Sequence, residues 1–411
     1  MIALAVLMAG ALCAEESFLL RGVTVHPVTA AKIDNTTVLV EKGRIAAIGG
    51  KLKAAKGVRV IEGRGLHVYP GIIDSATNIG LSEIGSVRET SDIAEIGDFK
   101  PQLRTAVAVN PSSEHVPVIR ANGITAAMAL PDGGIIAGRA ALMRLDGWTW
   151  EEMQAKGDAA MYVAFPVLTI GGRAGANLAE ARRYHEARLK SLHDYFESAR
   201  AYQKAKAAAR PGLRTDLAME AMLPVLERKV PLMIKAEREK TIAAALDWAE
   251  KERVRVILSE VREPGATLAR IREKNIPVIL GPTQQLPLNE DDPYDAAFTL
   301  PAELHKAGVK FAFGTFGNQF SRNLPYQAAT AVAFGLPYEE ALRAITIAPA
   351  EIWGVAAEMG SVETGKWADL MVTDGDPLEV RTQVKMLLIK GKQVELESRH
   401  TRLYQRYLAR P

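Results

Sequence analysis

The sequence predicts an α/β protein, a TIM-like (β/α)8 barrel carrying a small composite β-sandwich built from both termini. Three observations lead there. Apolar strand-like runs alternate with amphipathic helical segments from Pro70 to Met359, the pattern of a parallel sheet, and that length favours a closed barrel over an open doubly wound sheet. The two ends of the chain are instead β-rich and broken by tight turns, in the same style at both. Finally, 411 residues that are 48% hydrophobic and 24% charged supply a large core with material left for a second, smaller unit.

Taken in order, residues 1–14 read as a signal peptide. "MIALAVLMAGALCAEES" is apolar from Ile2 to Cys13 and ends in small residues before two glutamates. The run is shorter than the about 20 apolar residues of a stable membrane span. It lacks a basic leading segment, and the alternative is a buried first strand or an apolar N-terminus. Cys13 is the only cysteine, and Gly10 stands where a lipoprotein signal would place leucine. Cleavage near Ala14 leaves no thiol for a disulfide, which agrees with an exported protein, periplasmic or extracellular.

Residues 15–69 and 360–396 form the expected sandwich. Val38 to Ile48 reads as a hairpin turning at Lys42-Gly43, and Gly391-Lys392 marks another tight turn. The barrel is expected over residues 70–359, with strands His67–Ile73, Gly123–Leu130, Met161–Pro166, Pro231–Lys235, Val254–Leu258, Ile276–Leu280 and Val309–Phe313. Segments such as "TIAAALDWAEKERV" and "GATLARIREKN" space their apolar residues by three and four, as helices do. That makes seven strands, and an eighth is not visible.

The charged, alanine-rich segment Ala176–Arg210 reads as one or two exposed helices inserted after the third strand. Its alternative, a coiled-coil partner surface, finds no sustained heptad. Residues 397–411 read as a tail. The formal net charge of +3, with acids and bases interleaved, argues against nucleic-acid or anionic-membrane partners.

Four pieces, "VEKGRIAAIGG", "VYPGIID", "AITIAPAEIWG" and "GSVETGKWADLMVTDGDPL", come in an order and spacing that span nearly all of Phe18 to Glu395. Together they resemble the amidohydrolase superfamily, and specifically its imidazolonepropionase-like branch. The resemblance implies a TIM-like barrel with a composite β-sandwich. It also implies hydrolysis of amide or other carbon–nitrogen bonds at one or two divalent metals, normally zinc. The family's paired histidines after the first strand correspond here to Ala76 and Asn78. Its later strand-end histidines correspond to Lys235 and Glu260, and the aspartate after its last strand corresponds to Phe316. All of these ligand positions are substituted.

The residues agree. Seven histidines, His26, His67, His115, His185, His193, His305 and His400, lie eight or more apart, and none follows a strand at the C-terminal end where such barrels keep their chemistry. A zinc site wants clustered imidazoles or thiolates. No metal or other cofactor is therefore expected. A lone histidine such as His185 on the charged helix reads as a surface or cap residue.

What remains at the mouth is Lys235, Glu237 and Glu260. One reading is a salt bridge that plugs the former metal cavity. The other is a metal-free acid–base or lysine-nucleophile site, with burial lowering the lysine pKa and a glutamate moving protons. No third residue singles itself out as its orienter. A carbamylated lysine bridging two metals would need the absent histidines, and a phenyl ring at 316 can neither take a proton nor bind a metal. Asn78, Glu83, Arg88, Thr315 and Asn318 would suit a pocket for a small polar ligand, or are simply solvated. The proline-rich, acidic segment Gly281–Asp295 reads as a lid, and its acids lack calcium-loop spacing.

The leading expectation is an exported protein that has lost the family's metal chemistry. It would act as a binding protein or as the non-catalytic partner of an active relative, in a homo-oligomer or heteromer. The rival is an active hydrolase of cyclic amides or dipeptides rebuilt around Lys235, Glu237 and Glu260. A purely structural subunit is the third.

Overall fold

The computed structural model describes residues 17–50, 52–56, 58–171 and 177–410. The expected signal peptide, with Cys13, lies outside the described residues. Five strands open the chain: β1 (Phe18–Val25), β2 (Ile33–Glu41), β3 (Arg44–Ile48), β4 (Arg59–Glu62) and β5 (His67–Pro70). The expected hairpin is β2–β3. Its turn residues Lys42 and Gly43 have φ of 49° and 71°, the left-handed geometry that matches strand twist in a tight hairpin.

The second sheet is an almost closed barrel of eight strands in chain order: β6 (Ile72–Thr77), β7 (Ile124–Ala129), β8 (Ile136–Arg144), β9 (Gln154–Ala164), β10 (Leu232–Lys235), β11 (Val256–Ser259), β12 (Val278–Leu280) and β13 (Phe311–Phe313). Two expectations need correction. The run His67–Ile73 is not one strand: β5 belongs to the terminal sheet and β6 to the barrel, with the chain changing sheets at Gly71. A Cβ on Gly71 would lie 2.1 Å from Thr125 Oγ1, so only glycine passes there. The missing eighth strand is β8, and it is antiparallel to both β7 and β9. Nearly every residue of β8 is buried, so its sequence lacks the alternation that announces a half-exposed strand.

The barrel closes where β13 runs on towards β6. Gly314 N–H continues the pairing with β12, donating to Leu280 O at 2.9 Å, and Phe316 N–H crosses to β6, donating to Ala76 O at 2.7 Å. Gly314 allows this approach, because a Cβ there would lie 2.6 Å from the Ala76 Cβ. The barrel interior is apolar, with Ile73, Ala76, Met128, Tyr162, Met233 and Trp353 among its members.

Strands β14 (Leu370–Thr373), β15 (Val384–Ile389) and β16 (Lys392–Val394) return to the first sheet, where β14 pairs antiparallel with β5. The sheet is thus composite, as expected. The inserted segment forms one helix, Leu178–Ala207, capped by the Asn177 side chain, which accepts from Glu180 N–H at 3.0 Å. It buries Ala181, Leu192, Phe196 and Ala199, and the Phe196 ring meets Trp248 edge-on at 5.1 Å. Leu189 and Tyr195 pack half-buried against the same core, and the opposite side is charged and exposed, so this is an amphipathic barrel helix with a long polar side. The expected tail is also helical, Arg399–Leu408, with a Ser398/Thr401 capping box.

Candidate functional site

Parallel pairing brings the expected trio together. Lys235 ends β10 in register with Ser259 of β11 and Ala164 of β9. Glu260 follows Ser259 in a left-handed conformation, φ 56°, its N–H donating to Ile279 O at 2.9 Å. The Lys235 ammonium lies 2.8 Å from Glu260 Oε2 and 3.4 Å from Glu237 Oε1. The structure supplies the third residue that the sequence did not single out. The Tyr162 hydroxyl donates to Glu260 Oε1 at 3.1 Å, so the two carboxylate oxygens have separate partners. The available signal is the period of two along β9, which puts Tyr162 on the same inward face as Ala160.

The electrostatics correct a second expectation. Burial acts to lower the Lys235 pKa, but the hydrogen bond and charge of Glu260, joined by Glu237, outweigh it and hold the ammonium above the ordinary lysine value. It is therefore a firmly charged group and not a free amine at neutral pH. Burial, and then the Glu260 charge, push the Tyr162 hydroxyl far up, so it remains a donor.

Ala76 and Phe316 form the other side of the mouth. Ala76 is fully buried in the barrel interior and the Phe316 ring packs against the same cluster. Beside them is a carboxyl that sequence reasoning passes over. Asp74 is fully buried: Oδ1 accepts from Thr315 N–H at 3.0 Å and Ala76 N–H at 3.2 Å, and Oδ2 lies 2.6 Å from Thr315 Oγ1. Desolvation raises its pKa to about 7 despite those bonds. Thr315 also reaches Gly317 O at 3.1 Å and Ser321 Oγ at 3.0 Å, so it knits the seam and is not a free rim residue. Asn78 Oδ1 is buried and has no hydrogen-bond partner among the described residues.

The rim residues divide. Asn318 Nδ2 donates to Ser82 O at 2.6 Å and Asn110 Nδ2 to Glu83 Oε1 at 3.4 Å, whereas Arg88 is exposed. The lid Gly281–Asp295 is pinned to the strand ends: Arg238 Nη2 donates to Asn289 Oδ1 at 3.0 Å, and the Arg262 guanidinium to Leu286 O. Under it lies a cavity of about 210 Å³ lined by Val261, Arg262, Thr283, Gln285 and Asp292 among others.

Two histidines meet at the terminal sheet, away from the mouth. His26 Nε2 lies 3.0 Å from His67 Nδ1, and the His26 ring stacks on Tyr69 at 4.1 Å. His185 Nε2 lies 3.2 Å from Pro166 O, and His115 Nε2 lies 2.9 Å from Glu83 O. His193, Glu197 and Glu252 bring ligand atoms within 4.8 Å of one another on the barrel's outside. Arg200 already pairs with both of those glutamates at 2.6 Å, so that group is a salt-bridge cluster.

The model of the amidohydrolase family matches residues 175–394, slightly more than half the chain. The chain belongs to the amidohydrolase family. This match covers the later barrel strands and the return to the terminal sheet, and structural likeness extends it over the first half. A solved amidohydrolase of Thermotoga maritima superposes with a TM-score of 0.81 at 26% identity, over 92% of this chain and 99% of that one. A prolidase bound to N-methylphosphonate-L-proline superposes with a TM-score of 0.57 at 15% identity, covering 92% of this chain and 99% of that one, which concerns the amidohydrolase fold alone. Among curated proteins, "Amidohydrolase tasK" of Hapsidospora irregularis is 23% identical over 393 residues, 86% of this chain. The chain spans only 39% of that relative's length. An imidazolonepropionase of Sphingopyxis alaskensis is 47% identical over 51 residues, 12% of this chain and 13% of its own.

Proposed function

We propose that this amidohydrolase-family chain holds no resident metal and serves as an exported binding protein or non-catalytic partner subunit, in the periplasm or outside the cell. The observation that carries this reading is Lys235 itself, a charged ammonium held between Glu260 and Glu237 at the strand ends.

The donor set supports it. A family-type pair of metal ions needs several neutral imidazoles or free carboxylates converging on one point. Here the mouth offers a methyl group at Ala76, a phenyl ring at Phe316 and two carboxylates already bound to an ammonium. A divalent cation there would meet like charge, and the residues do not fit one. A lysine nucleophile fares no better, because its pKa is raised and the lone pair is committed to the proton.

A binding role draws support from the cavity under the lid, which mixes apolar walls with Arg262, Gln285 and Asp292 and suits a small polar ligand. We place no nucleic acid among its partners. Among the described residues no helix is long and apolar enough to cross a membrane.

Metal analysis of the purified full chain tests the proposal. Less than a tenth of an equivalent of zinc, manganese, iron or cobalt is expected after dialysis, and one or more tightly held equivalents would overturn it. The partner role is tested by affinity isolation from the native host, which should return a second amidohydrolase-family chain or more copies of this one.

A further inference from the structure

The N-terminal face of the barrel, opposite the mouth, holds a cleft of about 550 Å³. It lies where the helices Leu217–Leu226 and Glu239–Glu252 end and β11 and β12 begin. Its floor is apolar, with Val254, Ile276, Pro277 and Ile352, and its rim carries Arg228, Arg253, Arg255 and Lys274. Among the described residues Glu250 is the one acid in the lining, and it is already engaged by Arg270 at 3.0 Å and Lys274 at 3.3 Å. Among the described residues Arg228, Arg253 and Arg255 make no salt bridge.

Helix dipoles account for part of this charge, because cations are favourable near helix C-termini. They do not account for the backbone. Arg228 and Arg253 adopt φ of 61° and 55°, the left-handed conformation in which glycine costs least after a helix. The chain accepts strain at both positions and places guanidinium groups there. Arg255, which lies at no helix end, has Nη1 donating to the carbonyls of Arg228 at 3.3 Å and Lys229 at 3.5 Å, which holds its guanidinium against the loop that carries Arg228 on the same rim. The positive field extends inward: burial, and then the Arg255 charge, hold the Lys156 ammonium below the ordinary lysine value.

We propose that this cleft binds a small organic phosphate, with the phosphate on the arginine rim and an apolar body on the floor. A guanidinium fork pairs with either a carboxylate or a phosphate, but three such groups line this cleft, and a phosphate offers them three acceptor oxygens and up to two negative charges where a carboxylate offers two oxygens and one. The site is separate from the mouth and does not depend on what the mouth does.

Calorimetric titration of the full chain with 1-naphthyl phosphate at low salt tests this. One saturable site is expected. Inorganic phosphate, which lacks the body, should bind at least tenfold more weakly, and neutral 1-naphthol should not bind. Arg253→Gly should weaken naphthyl phosphate binding at least tenfold while the melting temperature stays level or rises, because glycine relieves the left-handed strain. Arg255→Gln should also weaken it, and Lys235→Met should leave it unchanged. The proposal is overturned if the wild type shows no saturable binding, if both arginine variants bind as tightly as the wild type, or if Lys235→Met abolishes binding.

Discussion

The backbone N–H of Phe316 donates to the carbonyl of Ala76 at 2.7 Å, sealing the end of the last barrel strand against the first. A main-chain bond thus joins the two strand ends, with a methyl group and a phenyl ring packed into the interior beside it. The seam has no room to spare at Gly314. Replacing it by alanine sets a Cβ 2.6 Å from the Ala76 Cβ and 3.1 Å from the Phe316 ring. Gly314→Ala should cost about 1–3 kcal/mol, read as a lower midpoint in denaturant with an unchanged slope.

Asp74 makes the seam sensitive to pH. Its folded pKa of about 7 lies above the ordinary value of 3.8, so the fold prefers the protonated form. The resulting stabilisation is complete below about pH 4 and is lost as pH rises through about 7, an effect on the order of a few kcal/mol. A protonated Oδ2 can donate to Thr315 Oγ1, which in turn donates to Gly317 O. An asparagine amide at 74 can make the same bond. Asp74→Asn should remove this slope and be the more stable form above pH 7, as measured by denaturant titrations at several pH values.

His26 works in the opposite direction over an overlapping range. Burial, and then the neighbouring His67 charge, lower its pKa from 6.5 to about 4. The unfolded chain therefore binds the extra proton between those values, and stability falls as pH drops from about 6.5 towards 4. The two groups oppose each other in the wild type between pH 4 and 6.5, where a nearly flat profile is expected. His26→Gln should expose the Asp74 slope, with stability falling as pH rises, and a profile identical to the wild type would refute the assignment.

The raised Lys235 pKa predicts chemical silence. A raised lysine contributes stability that is fully present below its unfolded value and is lost only as pH climbs through the higher folded one, so nothing should change between pH 5 and 9. Peptide mapping after brief treatment with an amine-reactive reagent at pH 8 should find Lys235 labelled more slowly than exposed lysines. Lys235→Met leaves Glu260 and Glu237 uncompensated. Because the lysine side chain is 41% exposed, the loss should be about 1–2 kcal/mol, below the cost at a fully buried pair.

Among the described residues, Tyr162→Phe removes the one hydrogen-bond partner of Glu260 Oε1. About 1 kcal/mol of stability should go with it. Ligand binding under the lid should weaken only if Glu260 orients that ligand, so paired melting and binding measurements separate support of the fold from support of the site.

Much of this protein follows from sequence pattern. Alternating strand and helix periods place most barrel strands, and in the terminal sheet Lys42-Gly43 marks one hairpin while the other turns at Lys390-Gly391, one residue before the expected Gly391-Lys392, because these signals are local and act within a few residues. The juxtaposition of Lys235, Glu237 and Glu260 is also legible, since residues at the ends of neighbouring parallel strands must meet. Strand β8 escapes because it is buried on both faces and carries no period. Tyr162 as the partner of Glu260, Asp74 as the buried acid of the seam, the His26–His67 pair and the arginine cleft escape for a different reason. Each depends on side chains from distant segments meeting in a low-dielectric or crowded place, where burial sets charge state and a 2.6 Å gap decides which residue fits. Those properties belong to the closed barrel and arise only when the chain packs.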